Sequence, residues 1–558
     1  MKLTKLVLIA LAGIAGTPLL PAADAPAKKP NIVFILADDL GFAEIGANGA
    51  DKYKTPNIDS LAKSGIRFNH FYTAPLCGPS RALILTGRYA FRSGAVTQNA
   101  CGSIIRTGDK AEIMVPTVLK KAGYTTAMIG KWGQLLPSGD PAEWGFDHVL
   151  SFKGSGIYWN KVAAASWVKQ YGLAGDKGDE NGVRANPGPY NIDAKNLMMA
   201  DNEYMPDLMH KDAMAFINEN KDKPFLLYYS MSPVHAQILP TPDSTPPSPG
   251  SDAAARYAQV YNDNINYMDK LVGKLLAELD RLKLRDNTVI FFMGDNGTAK
   301  AASDLATIGG RRLIGQKGGM EEGGGLVPFI ASWKGVTPTG KLNENFTDAS
   351  DLLPTFAEIA GAPLPENRII DGKSLLPQIK GETKSPRTWA FTQLGENYFV
   401  REAGWKLNQA GQLFDMKNAP FEEILVPADS KDEAAVAARK RLTTALAELN
   451  PGAGVKGEGS GRGDKTKKNK KKAAAAAAKA EATPAAITTA AAVDPAADRA
   501  AKFDNLDTAK TGKLTREYYT THQSNAAAAA DRFDRMDVNK DGVVTRDEFI
   551  SNGGKKLK

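Results

Sequence analysis

Ile32-Val33-Phe34-Ile35-Leu36-Ala37-Asp38-Asp39 is an unbroken apolar run that stops at two carboxylates. A run without alternation is how a strand buried on both faces reads, and such strands belong to parallel sheets sandwiched between helices. Three further runs have the same form. Tyr124–Ile129 ends in Gly130-Lys131-Trp132, Phe225–Tyr229 leads to Ser232-Pro233-Val234-His235, and Val289–Met293 leads to Gly294-Asp295-Asn296-Gly297. Ligands of open α/β sheets bind beyond the carboxyl ends of the strands. The four expected strands therefore bring Asp38, Asp39, Lys131, His235, Asp295 and Asn296 to one edge. Helical stretches lie between them, at Thr117–Ala122 and at Ala255–Lys283, where Tyr261, Ile265, Met268, Leu271, Leu275 and Leu279 recur at helical spacing. The alternation predicts an α/β domain with a largely parallel sheet between helices. After about Leu376 the runs shorten to Trp389–Thr392, Tyr398–Arg401, Trp405–Leu407 and Leu413–Met416, the pattern of a small antiparallel sheet.

The run Leu76-Cys77-Gly78-Pro79-Ser80-Arg81-Ala82-Leu83-Ile84-Leu85-Thr86-Gly87 adds chemistry to that edge. Pro79 suits the first turn of a helix, where its missing N–H costs nothing. Cys77 then stands at a helix N-terminus, whose free N–H groups and dipole favour an anion. Arg81, one turn on, offers a planar donor fork suited to sulfate or phosphate oxygens. A lone cysteine is most often a packed core residue, and a lone lysine or histidine in a loop is most often incidental. The weight lies in their combination. Asp38, Asp39, Asp295 and Asn296 are hard oxygen donors from two strand ends, a set that suits calcium or magnesium and not zinc.

These motifs resemble the sulfatase family, whose signature Cys-X-Pro-Ser-Arg followed by Thr-Gly is matched by Cys77, Pro79, Ser80, Arg81, Thr86 and Gly87. The resemblance extends to Gly130-Lys131-Trp132, to Lys317-Gly318 with Glu322-Gly323-Gly324, and to Trp405-Lys406-Leu407 and Leu413-Phe414-Asp415-Met416, and so covers roughly residues 29–450. It implies an alkaline-phosphatase-like fold and hydrolysis of sulfate monoesters, sulfated carbohydrate being the expected substrate. It also implies oxidation of Cys77 to formylglycine by a dedicated maturation enzyme, the aldehyde hydrate serving as nucleophile. Asp38, Asp39, Asp295 and Asn296 would hold one calcium ion together with residue 77. Arg81 would belong to the same catalytic set, Lys131 and Lys317 would bind the sulfate, and His235 would give a proton to the leaving group. One departure stands out. The family's histidine two residues after the lysine of Gly-Lys-Trp, which assists expulsion of sulfate, is replaced by Gly133, followed by Gln134. His70 and His148 are the remaining imidazoles to consider as substitutes, though both read more simply as structural. Two alternatives stay open: a phosphoester or phosphonate hydrolase on the same scaffold, and a catalytically silent calcium-dependent binding protein.

With 558 residues, of which 43% are hydrophobic and 24% charged, the chain has the composition of a large soluble domain with appendages. Lys2 and Lys5, the apolar run Leu6–Ala15 and the small residues Ala22, Ala23 and Ala25 have the anatomy of a secretory signal peptide over residues 1–25. An exported, periplasmic or secreted protein is expected, with no membrane span. Cys77 and Cys101 are the two cysteines, and a bridge between them would consume the proposed nucleophile. The net charge of +8 is concentrated at Lys465–Lys472, so nucleic-acid binding by the main fold is not called for.

The boundaries that follow are a catalytic domain over 26–376, an antiparallel subdomain over 377–450, a Lys/Ala-rich disordered linker over 451–497 and a helical EF-hand pair over 498–555. Asp537-Val538-Asn539-Lys540-Asp541-Gly542-Val543-Val544-Thr545-Arg546-Asp547-Glu548 matches a calcium loop. Asp537, Asn539 and Asp541 supply side-chain oxygens, Val543 its carbonyl, and Glu548 a bidentate carboxylate. The upstream loop Asp507–Tyr518 has Ala509 and Tyr518 at ligand positions, so it is expected to pack against its partner and bind calcium weakly or not at all.

Overall fold

The computed structural model describes residues 28–104, 111–133, 140–152, 190–201, 203–236, 238–455, 511–521 and 536–552, with isolated positions between 158 and 171 and Phe503, Phe533 and Asp534 besides. The expected signal peptide, Gln134, the linker beyond residue 455 and Asp507–Lys510 lie outside the described residues. The chain divides into two compact units, residues 1–468 and 469–558.

The first unit is built on a ten-stranded sheet whose strands, in chain order, are β1 (Asn31–Ala37), β2 (Ile66–Tyr72), β3 (Thr125–Lys131), β4 (His148–Phe152), β5 (Tyr190–Ile192), β6 (Lys195–Leu197), β7 (Phe225–Met231), β8 (Thr288–Gly294), β9 (Phe329–Trp333) and β10 (Lys341–Asp348). Their spatial order is β10-β2-β9-β8-β1-β7-β3-β4-β5-β6. The four strands expected from the apolar runs lie side by side and parallel at its centre, with Ala37 in register with both Met231 and Gly294, and Gly130 with Ser230. Every residue of β1 is buried, and alternate residues enter different cores: Ile32, Phe34 and Leu36 one, Val33 and Ile35 the other. Both faces of the sheet are therefore covered, which is why this strand reads as a continuous apolar run. The sheet is more mixed than expected, because β9 runs antiparallel between β2 and β8, and β5 and β6 close the far edge as a hairpin.

The expected helices form at Val115–Lys120 and Ala253–Arg281, each starting two residues earlier than its apolar pattern suggested. Asp252 explains the second start, since its side chain accepts from the Ala255 N–H as a helix cap. The short runs after Leu376 form an antiparallel sheet of β11 (Ala390–Leu394), β12 (Asn397–Glu402), β13 (Trp405–Asn408), β14 (Leu413–Asp415) and β15 (Ile424–Leu425), in that order. Phe391, Val400, Leu407 and Leu413 belong to the same core cluster as Phe34 and Phe356, so the small sheet is packed into the main body.

In the second unit, β16 (Lys513–Thr515) pairs antiparallel with β17 (Val543–Thr545), placing Leu514 opposite Val544. These residues share an apolar cluster with Phe503, Tyr519, Phe533, Met536 and Phe549. Asp537 accepts from the N–H groups of Asp541 and Gly542, which folds the intervening residues into a tight loop. Glu548 and Thr545 cap the helix Arg546–Asn552: Thr545 N–H and Oγ1 both donate to Glu548 Oε2, at 3.0 and 2.7 Å.

Candidate active site

Cys77 opens the helix Cys77–Thr86, whose ten residues are all buried, and Gly87 ends it in the left-handed conformation with φ +65°. Glycine at 78 has a packing reason. A Cβ there would lie 2.9 Å from Cys101 Sγ and 3.0 Å from Gln98 Oε1. Cys101 is thus a neighbour of the helix start, and both thiols are free. Cys101 Sγ donates to the Thr97 carbonyl at 3.2 Å.

The strand ends converge on Cys77. Its Sγ lies 3.6 Å from Asp39 Oδ1, and one donor atom from each of Asp38, Asp39, Cys77 and His235 falls within 4.8 Å of all the others. Asp295 and Asn296 close the cluster from the end of β8, with the Asp39 N–H donating to Asp295 Oδ1 at 3.0 Å and Asn296 Nδ2 to Asp39 Oδ1 at 2.9 Å. Three cations surround these carboxylates. Lys131 Nζ donates to both Asp38 oxygens at 2.7 and 2.6 Å. Lys317 Nζ reaches Asp39 Oδ2 at 2.6 Å. Arg81 donates twice to Asp295 Oδ2, at 3.0 and 2.8 Å, and through Nη1 to the Lys131 carbonyl and Ser230 Oγ. Every proposed residue of this set is therefore brought together.

The electrostatics follow from burial and crowding. Burial, with Asp295 and Asp39 close by, pushes the Asp38 carboxyl up to about 7 even though Lys131 pulls it down. Burial would raise Asp39 as well, but His235, Lys317 and Lys131 hold it well below the usual carboxylate range. Lys317 is raised, because Cys77, Asp39 and Asp38 outweigh the burial that would lower it. The Cys77 thiol is pushed up to about 12 by burial against the pull of both lysines. Burial, aided by Lys131 and Lys317, drives the His235 imidazole well below its ordinary value against the pull of Asp39.

The donor set fits a hard divalent cation. Asn296 Oδ1 is buried without a hydrogen-bond partner among the described residues, beside the carboxylates of Asp38, Asp39 and Asp295, all at most 1% exposed. Backbone strain gathers at the same place: Asp39 has φ +62°, and Val234, the β-branched residue before His235, has φ +79°.

Neither imidazole considered as a substitute for the missing histidine is near. His70 stacks on Phe346 beside Glu344. His148 begins β4, at the opposite end of that strand from the site, and pairs with Asp193 and Asp212. Gly133 does face the site, since a Cβ there would sit 3.4 Å from Arg81 Cδ and 3.7 Å from Lys131 Cε; its φ of +80° disfavours any side chain.

Sequence reasoning missed three supporting residues. Ser230, the penultimate residue of β7, accepts from Arg81 and donates to the Lys131 carbonyl at 2.9 Å. The Tyr158 hydroxyl lies 2.8 Å from the carbonyls of both Ser232 and His235. Glu44 accepts from the Gly41 N–H and the Tyr261 hydroxyl beneath the Asp38–Asp39 turn. A polar residue at the end of an apolar run was the available signal for Ser230; the other two carry none.

A mixed α/β fold with buried carboxylates, an arginine and two lysines around one cysteine defines a hydrolase of tetrahedral oxyanion esters. Residues 30–362 match the family model described as Sulfatase, and the chain belongs to that family and is a sulfuric ester hydrolase. It is 33% identical over 378 residues to N-acetylgalactosamine-6-sulfatase of Mus musculus, covering 65% of this chain and 68% of that protein. Arylsulfatase D of Homo sapiens is 31% identical over 456 residues, covering 70% and 75%. Among solved structures, Ps i-CgsB in complex with k-i-k-neocarrahexaose superposes with a TM-score of 0.61 at 28% identity, over 80% of this chain and 98% of that one. The phosphonate monoester hydrolase of Agrobacterium radiobacter shares the fold, with a TM-score of 0.54 at 20% identity over 75% and 95%.

Proposed function

We propose that the protein hydrolyses sulfate monoesters of carbohydrates after export, with Cys77 oxidised to formylglycine by a maturation enzyme and one calcium ion held by Asp38, Asp39, Asp295, Asn296 and residue 77. The observation that carries this reading is the ring of carboxylates and cations closed around Cys77 at a helix N-terminus. The likeness to Ps i-CgsB in complex with k-i-k-neocarrahexaose favours a sugar substrate. Formylglycine would supply, as its hydrate, one hydroxyl as oxygen nucleophile and a second whose proton loss regenerates the aldehyde and lets sulfate leave, and calcium would supply positive charge toward the substrate oxygens.

The chain's own residues do the rest. Lys131 and Lys317 hold the sulfate oxygens, and their charge is kept by the carboxylates they pair with. Arg81 locks Asp295, Ser230 and the end of β3 into one rigid frame. His235 lies with Nε2 3.7 Å from Asp39 Oδ2, where it would give a proton to the departing oxygen while Lys317 stands beside it. The thiol itself is a poor nucleophile here, because burial keeps it protonated.

A phosphonate hydrolase of the same fold makes phosphorus esters the second reading. Aryl sulfate, aryl phosphate and aryl phosphonate esters with one leaving group, assayed side by side, separate the two. The expected result is a higher kcat/KM for the sulfate, and preference for either phosphorus ester would overturn the assignment.

For the second unit we read Asp537–Glu548 as the calcium loop of an EF-hand pair, with Asp537, Asn539, Asp541, Val543 and Glu548 as ligands, reached through a linker over 451–497. The pairing of Leu514 with Val544 and the fold of the Asp537–Gly542 turn support it. Calcium titration of the full chain should show one binding equivalent fewer in Glu548→Gln. An unchanged isotherm would defeat this reading.

A further inference from the structure

Lys317 sits in Ile314–Gly325, a segment with six glycines in twelve residues. Such a segment loses more conformational freedom on ordering than almost any other sequence. Toward the site it is pinned by backbone hydrogen bonds, Lys317 N–H to the Thr298 carbonyl at 2.9 Å and Gly318 N–H to the Pro75 carbonyl at 2.8 Å around the lysine, and Gly297 N–H to the Gly324 carbonyl at 2.9 Å and Thr73 N–H to the Gly325 carbonyl at 2.8 Å farther on. Its outer side is held by residues far along the chain. The Glu322 N–H donates to Glu423 Oε1 at 3.1 Å, and Lys406 Nζ donates to the Met320 carbonyl at 3.2 Å and pairs with Glu423. The Ile314 N–H reaches the Pro420 carbonyl at 3.0 Å.

The Lys406 and Glu423 side chains are only 4% and 6% exposed, and the Lys406 ammonium lies over the rings of Phe399 and Phe414 at 4.9 and 5.2 Å. A buried ion pair is weak evidence for stability, because well-packed apolar residues of similar volume often serve as well or better. This pair spends its remaining hydrogen bonds on the backbone on the C-terminal side of Lys317. We infer that Lys406 and Glu423 of the small antiparallel subdomain are positioning residues for Lys317, bracing the glycine-rich segment so that its ammonium stays on the reacting sulfate. The inference rests on the proposed role of Lys317 in binding sulfate.

The test uses the full-length, matured enzyme with a small aryl sulfate, following kcat, KM and thermal melting together. Lys406→Met/Glu423→Leu removes both charges and keeps volume, so the protein should melt close to the unsubstituted enzyme. Its kcat/KM should nevertheless fall about 10- to 100-fold, the scale expected when a charged group is misplaced by about an ångström. Lys406→Arg, which keeps the cation, should regain part of the loss. Adding the pair to Lys317→Ala should cost nothing beyond Lys317→Ala alone. Full activity in the folded double variant, or losses that simply multiply with Lys317→Ala, would overturn the inference. If the double variant fails to fold, Glu423→Gln carries the same comparison, and failure of both to fold would make the pair purely structural. Full activity in Lys317→Ala is a different failure: it removes the role of Lys317 itself, and the inference with it.

Discussion

Cys77→Ala is expected to abolish sulfate ester hydrolysis while leaving the fold intact. The Cys77 side chain is 2% exposed and makes one long contact, 3.6 Å to Asp39, so its loss leaves only a small void. Truncations of that size cost about 1 kcal/mol, far less than a folded domain's stability. The chemical loss is total because no neighbouring side chain can replace it: Ser80 is committed to the Ala74 carbonyl at 2.6 Å, and Cys101 faces Thr97. Peptide mass spectrometry across residues 68–81 of active enzyme should show the aldehyde at position 77. Full activity in a preparation containing only unmodified cysteine there would sink the mechanism.

Arg81→Lys should be nearly as damaging, although it preserves charge. One guanidinium, 1% exposed, binds Asp295 through two nitrogens and the Lys131 carbonyl and Ser230 through the third, tying together the ends of β8, β3 and β7. An ammonium is a point charge that cannot span these three directions. Asp295 is then left buried with an incomplete partner, and breaking a buried pair costs about 3–5 kcal/mol. Thermal denaturation should show lowered stability, and kcat a loss of at least about 100-fold. A lysine variant that melts and turns over like the unsubstituted enzyme would mean that Arg81 neither frames the site nor supports catalysis.

The centre of the fold was legible because burial on both faces leaves its mark on every residue of a strand. β1, β7 and β8 are buried throughout, and their apolar runs stop where polar chemistry begins, so their ends could be joined into one site before any coordinates. β2 was not legible: Ile66-Arg67-Phe68-Asn69 alternates buried with half-buried residues over a short span, and its neighbours β9 and β10 come from more than two hundred residues later. The same reason hides Ser230 and Tyr158. Their importance depends on which strands become neighbours, and the pairing of β3 with β7 joins residues about a hundred positions apart. Gly133 was recognised as a gap in the expected chemistry, yet its positive φ, which resists a side chain, is a property of the backbone alone.

The bracing of Ile314–Gly325 by Lys406 and Glu423 bears on how the enzyme is made and on where it can be cut. The match to the family model stops at residue 362 and contains every residue proposed for chemistry, whereas Glu423 closes its contact with Glu322 across 101 positions. During synthesis the ribosome therefore delivers all the reactive groups well before the chain that steadies one of them. A nascent or truncated polypeptide ending near residue 362 would carry the complete signature and still lack a finished catalyst. For engineered fragments, and for evolutionary trimming, the smallest working unit extends past the boundary that similarity alone would draw.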